Sequence, residues 1–205
     1  MPISPIVRDE VRNHFFLPEP LKRVEAISPR GLMREHWFTA ELAYVFSEME
    51  KKEIIKWEPE YPVNPGQKNS PRIDFRLRLL EGTVVKETVA VEVKVMPTLN
   101  KDGTPYPITR KDYAEQNCVG DVQKMTLVPA DSYFLLIFAY PAPPSGHWDR
   151  LVQNIRGLCQ VQTVLSTVPD DSPERKLSIG WLEVQASTQV VGVGNSSVTS
   201  SPTLV

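Results

Sequence analysis

A chain of 205 residues, 41% hydrophobic and 23% charged, is long enough for one well-formed core and too short for two large ones. Its formal net charge of -2 gives no bulk sign of a nucleic-acid binder, although a positive rim confined to one cleft is averaged away in such a number. Cys118 and Cys159 form no CxxC pair and the histidines are only His14, His36 and His147, which excludes an ordinary structural zinc site; two thiols fit a reducing cytoplasm. The start, MPISPIVRDEV, has no apolar segment behind a basic one, and no apolar run reaches about 18 residues, so neither a signal peptide nor a membrane span is expected.

Residues 1–29 mix proline, charge and scattered apolar side chains and read as an N-terminal extension with one short helix. From Pro29 to Glu53 the pattern turns helical: Phe38, Leu42, Val45, Phe46 and Met49 make one apolar stripe, with Ser28 as a cap. Ile54 to Val63 reads as a strand that Pro59 and Pro62 confine to an edge. After the turn NPGQKNS, Arg72 to Leu80 alternates, with Ile73, Phe75, Leu77 and Leu79 on one face and Arg72, Asp74, Arg76 and Arg78 on the other. Glu81-Gly82-Thr83 turns the chain into a second alternating strand, Val84 to Val95, with Ala90, Glu92 and Lys94 on a common face. A Pro- and Gly-containing loop, Met96 to Thr109, leads to a helix from Arg110 to about Val128. The nearly all-apolar run Ser132 to Tyr140 has the character of a strand covered on both faces. A helix capped by Ser145 runs to about Leu158, Lys176 to Gln185 is a last strand, and 186–205 is a Ser/Thr/Gly/Val tail, leaving a single domain at 30–185. The order predicts an α/β fold, a mixed sheet with helices on both faces.

The hairpin carries the chemistry. Reversal near Gly82 sets Asp74 opposite Ala90 and Arg72 opposite Glu92, so Asp74 and Glu92 become diagonal neighbours roughly 7–8 Å apart at the backbone. Two carboxylates so placed lean onto one divalent ion, and Lys94 reaches the same point. Mg²⁺ (or Mn²⁺) takes oxygen ligands and keeps several waters, so Asp74, Glu92 and a main-chain carbonyl, that of Val93, leave room for water and a phosphate oxygen. The ion lowers the pKa of bound water, and a lysine orients it or stabilises the developing anion. The bland reading of the same face is a solvated sheet in which Arg72, Arg76 and Arg78 pair with Glu87 and Glu92.

Pro71-Arg72-Ile73-Asp74 followed by Glu92-Val93-Lys94 resembles the motif of the PD-(D/E)XK, restriction-endonuclease-like nucleases, over roughly residues 30–140. Pro71 stands three residues before Asp74, so the literal Pro-Asp pair is absent. The resemblance implies an αβββαβ core, metal binding by Asp74 and Glu92, and assistance to the attacking water by Lys94. It also implies a glutamate from the first helix, matched by Glu41 with Glu35 as runner-up, and a Gln or Lys from the following helix, for which Gln116, Gln123 and Lys124 remain open. The implied activity is magnesium-dependent hydrolysis of phosphodiester bonds, most naturally by an endonuclease acting on DNA, alone, as a homodimer or beside a helicase or ATPase. A catalytically inactive binding or scaffolding module and an RNA-directed nuclease are the alternatives.

Lys68, Arg72, Arg76, Arg78, Lys94, Lys101, Arg110 and Lys111 either line a phosphate-tracking groove or are scattered solubilising charge. Trp37, Trp57, Trp148 and Trp181 read as core or edge aromatics, and Cys118 as an inert helix residue.

Overall fold

The computed structural model describes residues 5–27, 35–98, 104, 111–144, 146–159, 162–164, 170–172 and 176–185. The expected tail at 186–205 and most of the loop at 96–109 lie outside them.

The N-terminal segment holds two helices where one was expected: α1 (Pro5–Phe15) and α2 (Pro18–Ile27). Each opens on a proline, which suits a first turn whose N–H groups have no helical partner. In α1, Val7, Val11 and Phe15 recur every fourth residue and are fully buried, in one core with Phe38 of the third helix. This segment is therefore part of the main core and no appendage to it. The third helix, α3 (Glu35–Lys51), buries Phe38, Leu42, Val45, Phe46 and Met49, the stripe read from the sequence. It ends with Glu53 in the left-handed region (φ 57°) and a bond from the Ile54 N–H back to the Met49 carbonyl, a closure of the Schellman type.

Three strands follow as a meander: β1 (Ile55–Pro62), β2 (Arg72–Glu81) and β3 (Val84–Pro97). A helical crossover returns the chain to β4 (Ser132–Tyr140), parallel to β3. The crossover comprises α4 (Lys111–Ala114), a π-helical segment (Glu115–Val119) and α5 (Gly120–Met125). Then come α6 (His147–Cys159), β5 (Gln162–Val164), the two-residue β6 (Asp170–Asp171) and β7 (Ser178–Gln185). The strand order is β1-β2-β3-β4-β7-β5, with β6 also on β7. Every pairing is antiparallel except β3 with β4, so the sheet is mixed.

Helices cover both faces. On one, Phe75, Leu77, Val89, Val91, Phe134 and Phe138 pack with the stripes of α1 and α3. On the other, Ala90, Leu135, Ile137 and Leu182 pack with Val122 and Met125 of α5 and with Leu151 and Ile155 of α6. Strand β4 feeds both, as its unbroken apolar run implies. Ile73 joins the second cluster, so the predicted alternation of β2 holds for Phe75, Leu77 and Leu79 but not for its first apolar residue. Among the described residues no helix is long and apolar enough to cross a membrane.

One close approach fixes α6 on the sheet. A Cβ at Gly180 of β7 would stand 2.7 Å from Cζ2 and 2.8 Å from Cη2 of Trp148, so the indole lies where any side chain would go. Gly180→Ala is expected to displace that ring and destabilise the protein by about 1–3 kcal/mol, read as a lower midpoint in urea.

Candidate active site

The site lies where two strands part. β2 and β3 pair from Glu81–Val84 as far as Phe75–Val91. Beyond that point the start of β2 stays with β1 (Ile73 on Tyr61, Arg72 on Pro62), while β3 continues along β4 to Pro97. Asp74 and Glu92 stand at the fork, and their carboxylates replace the ladder bonds that end there. Asp74 Oδ2 accepts the N–H of Val93 at 2.7 Å, and the N–H of Asp74 donates to Glu92 Oε2 at 3.3 Å.

The register differs from the one expected. Arg76, not Asp74, pairs with Ala90. The turn is centred between Gly82 and Thr83, with Glu81 opposite Val84, and a bulge follows: Leu80 faces Val85 but Leu79 faces Glu87, leaving Lys86 as the extra residue. Continued to the fork, this register sets Asp74 across from Glu92 instead of diagonally, and the Asp74 N–H reaches the Glu92 carboxylate there.

Two lysines and two more carboxylates close around this pair. Lys94 Nζ lies 2.8 Å from Asp121 Oδ2 and 3.0 Å from Glu35 Oε2. Lys124 Nζ lies 2.5 Å from Glu92 Oε1 and 3.0 Å from Asp121 Oδ1. Asp121 and Lys124 are one turn apart on α5, which sits over this end of β2 and β3. Four carboxylates thus face two ammonium groups, and Glu92 is only 3% exposed. With every group ionised the cluster holds two uncompensated negative charges in a largely buried place.

The acid–base properties follow from that imbalance. Burial first, and the charge of Asp74 second, push the Glu92 carboxyl up to about 8 against the opposing ammonium of Lys124. Burial also raises Asp74; the Val93 N–H opposes the rise and Glu35 adds to it. Burial alone would lower Lys94 and Lys124, but the carboxylates outweigh it and hold both above the ordinary lysine value: Asp121 and Glu35 for Lys94, Glu92 and Asp121 for Lys124. Burial likewise works to raise Asp121, yet the two lysines keep it below the usual aspartate value.

Asp74 and Glu92 meet at the fork, and Lys94 joins their cluster through Asp121, which also holds the Lys124 that pairs with Glu92. Glu41 does not join them. Its carboxylate takes His14 Nε2 and Arg23 Nη1, each at 2.8 Å, and ties α3 to α1 and α2. It stands six residues beyond Glu35, about 9 Å farther along the helix axis; the runner-up, Glu35, is the helix glutamate that reaches Lys94. Of the three candidates on the following helix, Gln116 and Gln123 are exposed and Lys124 faces the site. Asp121 was not singled out; the signal was an acidic residue three before Lys124 on the helix after the Glu-x-Lys strand. Val93 offers its N–H to Asp74, and since an extended residue directs N–H and C=O to the same edge, its carbonyl faces the same gap.

The basic face of β2 is largely spoken for. Arg78 lies 2.9 Å from Glu58 of β1, and Arg76 lies 3.9 Å from the same carboxylate with its guanidinium over the Tyr61 ring. Arg72 donates to the carbonyl of Glu60 at 2.9 Å. The bland reading, in which these arginines pair with Glu87 and Glu92, is not what the sheet shows, since their partners lie on β1; Lys101 and Arg110 lie outside the described residues. Beside Asp74 a cleft of about 530 Å³ opens between α3 and β1–β2, lined by His36, Ala40, Pro59 and Arg72. Glu60, at its rim, has a left-handed backbone (φ 46°), a strained conformation for a non-glycine residue in a strand.

Among the described residues no three His, Cys, Asp or Glu side chains gather as a ready ligand set. That is unlike a zinc site but compatible with Mg²⁺, which needs one or two carboxylates and otherwise keeps its waters. The excess of two negative charges belongs to the cluster as a whole, since Lys124 already pairs with Glu92, and an excess of that sign is what a hard divalent cation would offset. Compared with known proteins, the chain matches no family model, no curated protein and no solved structure.

Proposed function

We propose that this protein is a metal-dependent nuclease of the PD-(D/E)XK type that hydrolyses phosphodiester bonds, with DNA as the substrate. The observation that carries this reading is the pair of facing carboxylates at the fork of β2 and β3, with the Lys94 ammonium held in the same cluster. Asp74, Glu92 and the Val93 carbonyl would hold Mg²⁺ or Mn²⁺. Bound there, such an ion supplies an acidified water and neutralises charge at the phosphate. The chain's own groups do the rest. Asp74 keeps its orientation through the Val93 N–H, so its second oxygen stays free to ligate. Lys94, anchored by Asp121 and Glu35, presents a charged ammonium that orients the attacking water and stabilises negative charge developing on a phosphate oxygen. The cleft beside Asp74 gives a polynucleotide strand an approach to the fork.

One observation favours a second reading, a non-catalytic binding or scaffolding module: Lys124 already occupies Glu92, so the cluster can stand as a closed ionic network. Plasmid nicking separates the two. The protein is expected to convert supercoiled DNA to open circles with Mg²⁺ or Mn²⁺ and to stop on chelation, while Asp74→Ala and Lys94→Ala lose at least about a hundredfold in rate. Parallel digestion of RNA identifies the polymer. No cleavage of either polymer with either metal, in a protein that is folded, leaves the non-catalytic module.

A further inference from the structure

Asp121 is absent from the motif that suggested the activity, yet it makes more ion-pair contacts with lysine than any other carboxylate of the cluster. Its two oxygens take one lysine each: Oδ2 holds Lys94 of β3 at 2.8 Å, and Oδ1 holds Lys124 of its own helix at 3.0 Å. The side chain is about one-fifth exposed and lies between two ammonium groups that would otherwise repel each other over the carboxylates of the fork.

The helix that carries it is irregular at the place that matters. The crossover widens into a π-helical segment at Glu115–Val119 and returns to α-helix at Gly120, one residue before Asp121. A π segment inserts an extra residue into the turn, which rotates everything after it relative to everything before it. Ala114 ahead of that insertion and Cys118 within it face the core; after it Val122 and Met125 do, and Asp121 and Lys124 fall on the flank that meets β3.

We propose that Asp121 is a positioning residue for the hydrolytic reaction, acting through the two lysines and not on the substrate or the metal. It fixes the Lys94 ammonium at the fork, where Glu35 alone would leave it a single partner from another element. It also gives Lys124 a second anchor, so that this ammonium stays paired when Glu92 turns from Lys124 to a cation. The inference rests on the nuclease reading of the site.

Asp121→Asn keeps the size and some hydrogen bonding but loses the charge; Asp121→Glu keeps the charge on a longer arm. For both, kcat and KM on supercoiled plasmid are to be measured beside the Mn²⁺ affinity of the resting protein by calorimetry. Asp121→Asn is expected to lose about a hundredfold in kcat, the scale of a misplaced reacting group, with KM within about threefold. Asp121→Glu is expected to recover at least about a tenth of the wild-type kcat, and Mn²⁺ affinity is expected to stay within about threefold in both. Wild-type kcat in Asp121→Asn overturns the proposal. So does loss of Mn²⁺ binding, which would make Asp121 a ligand, and so does an equal loss in both variants, which would make the role structural. Absence of cleavage by the wild-type protein itself removes the nuclease reading and this inference with it, an outcome distinct from an active wild type with indifferent variants.

Discussion

Glu92→Gln is expected to abolish metal-dependent cleavage while making the metal-free protein more stable at pH 8. The two effects have one cause. Glu92 is buried beside Asp74, and its carboxyl is pushed from an ordinary 4.5 up to about 8. The folded chain therefore holds this proton more tightly than the unfolded chain does, so this group's contribution to stability falls as pH rises from about 4.5 to about 8. Asp74, also raised, acts with the same sign. Asp121, lowered, has the opposite sign but acts at more acid pH, below the ordinary aspartate value, and the raised lysines act above the ordinary lysine value. Within the window each pH unit costs the wild-type protein up to about 1.4 kcal/mol at Glu92. The neutral amide has no such dependence, so the stability gap between variant and wild type widens towards pH 8 in urea melts. Saturating Mg²⁺ is expected to close it by stabilising the wild type alone. Cleavage in the variant falls by at least about a hundredfold, because the fork then offers the ion one charged carboxylate instead of two. A wild-type stability that stays flat across this window would show that Lys124 fully offsets the buried charge.

How much of this was legible in the sequence differs from element to element, and the differences have physical causes. The stripe of α3 and the unbroken apolar run of β4 were readable because each is set by burial against a neighbour, and burial shows directly in residue type. That Asp74 and Glu92 share a side of the hairpin was readable for the same reason: alternation fixes the face whatever the exact pairing. Which residue faces which was not. The turn centred between Gly82 and Thr83 shifts the register by one and the bulge at Lys86 by one more, and nothing in Leu79-Leu80 or Val85-Lys86-Glu87 marks an extra residue. The 11-residue helix α1 was hidden by Pro2, Pro5 and the charged residues around them, although Val7, Val11 and Phe15 already had the four-residue spacing of a buried face.

Among the site residues the split is between strand and helix. The strand residues Asp74, Glu92 and Lys94 are placed by local pairing. The helix residues depend on how α3 and α5 are seated, which is a tertiary matter. Glu41 lies beside the apolar stripe and was the natural choice, but its flank meets His14 and Arg23, residues of helices whose position the stripe does not specify. Glu35, at the first turn, reaches Lys94 because the start of α3 lies near the fork. Asp121 and Lys124 reach it through the π-helical segment, and hydrophobic periodicity alone does not locate such a widening.

The same seating makes Phe138 the position where a core change should be felt most. Phe138→Ala is expected to destabilise the protein by about 3–5 kcal/mol, measured in urea, and to lower the thermal midpoint by about 10 °C. Phe138 is fully buried on β4, its ring 4.6 Å from that of Phe15 on α1 and 4.5 Å from that of Phe38 on α3. Phe15 and Phe38 also stack on each other at 5.7 Å, so three rings from three elements form one contact set at the sheet surface. Removing the central ring leaves a cavity that α1 and α3 cannot freely collapse into, since Glu41 ties α3 to α1 through His14 and to α2 through Arg23. Phe38 is one turn from Glu35, so any settling of α3 into the cavity draws Glu35 away from Lys94. Cleavage below the new melting point should fall by a further severalfold, with Mn²⁺ affinity held, because Asp74 and Glu92 are held by their hydrogen bonds to each other's strands and not by α3. A loss of stability under about 1 kcal/mol would mean that the aromatic set packs loosely and that α3 is seated by other contacts.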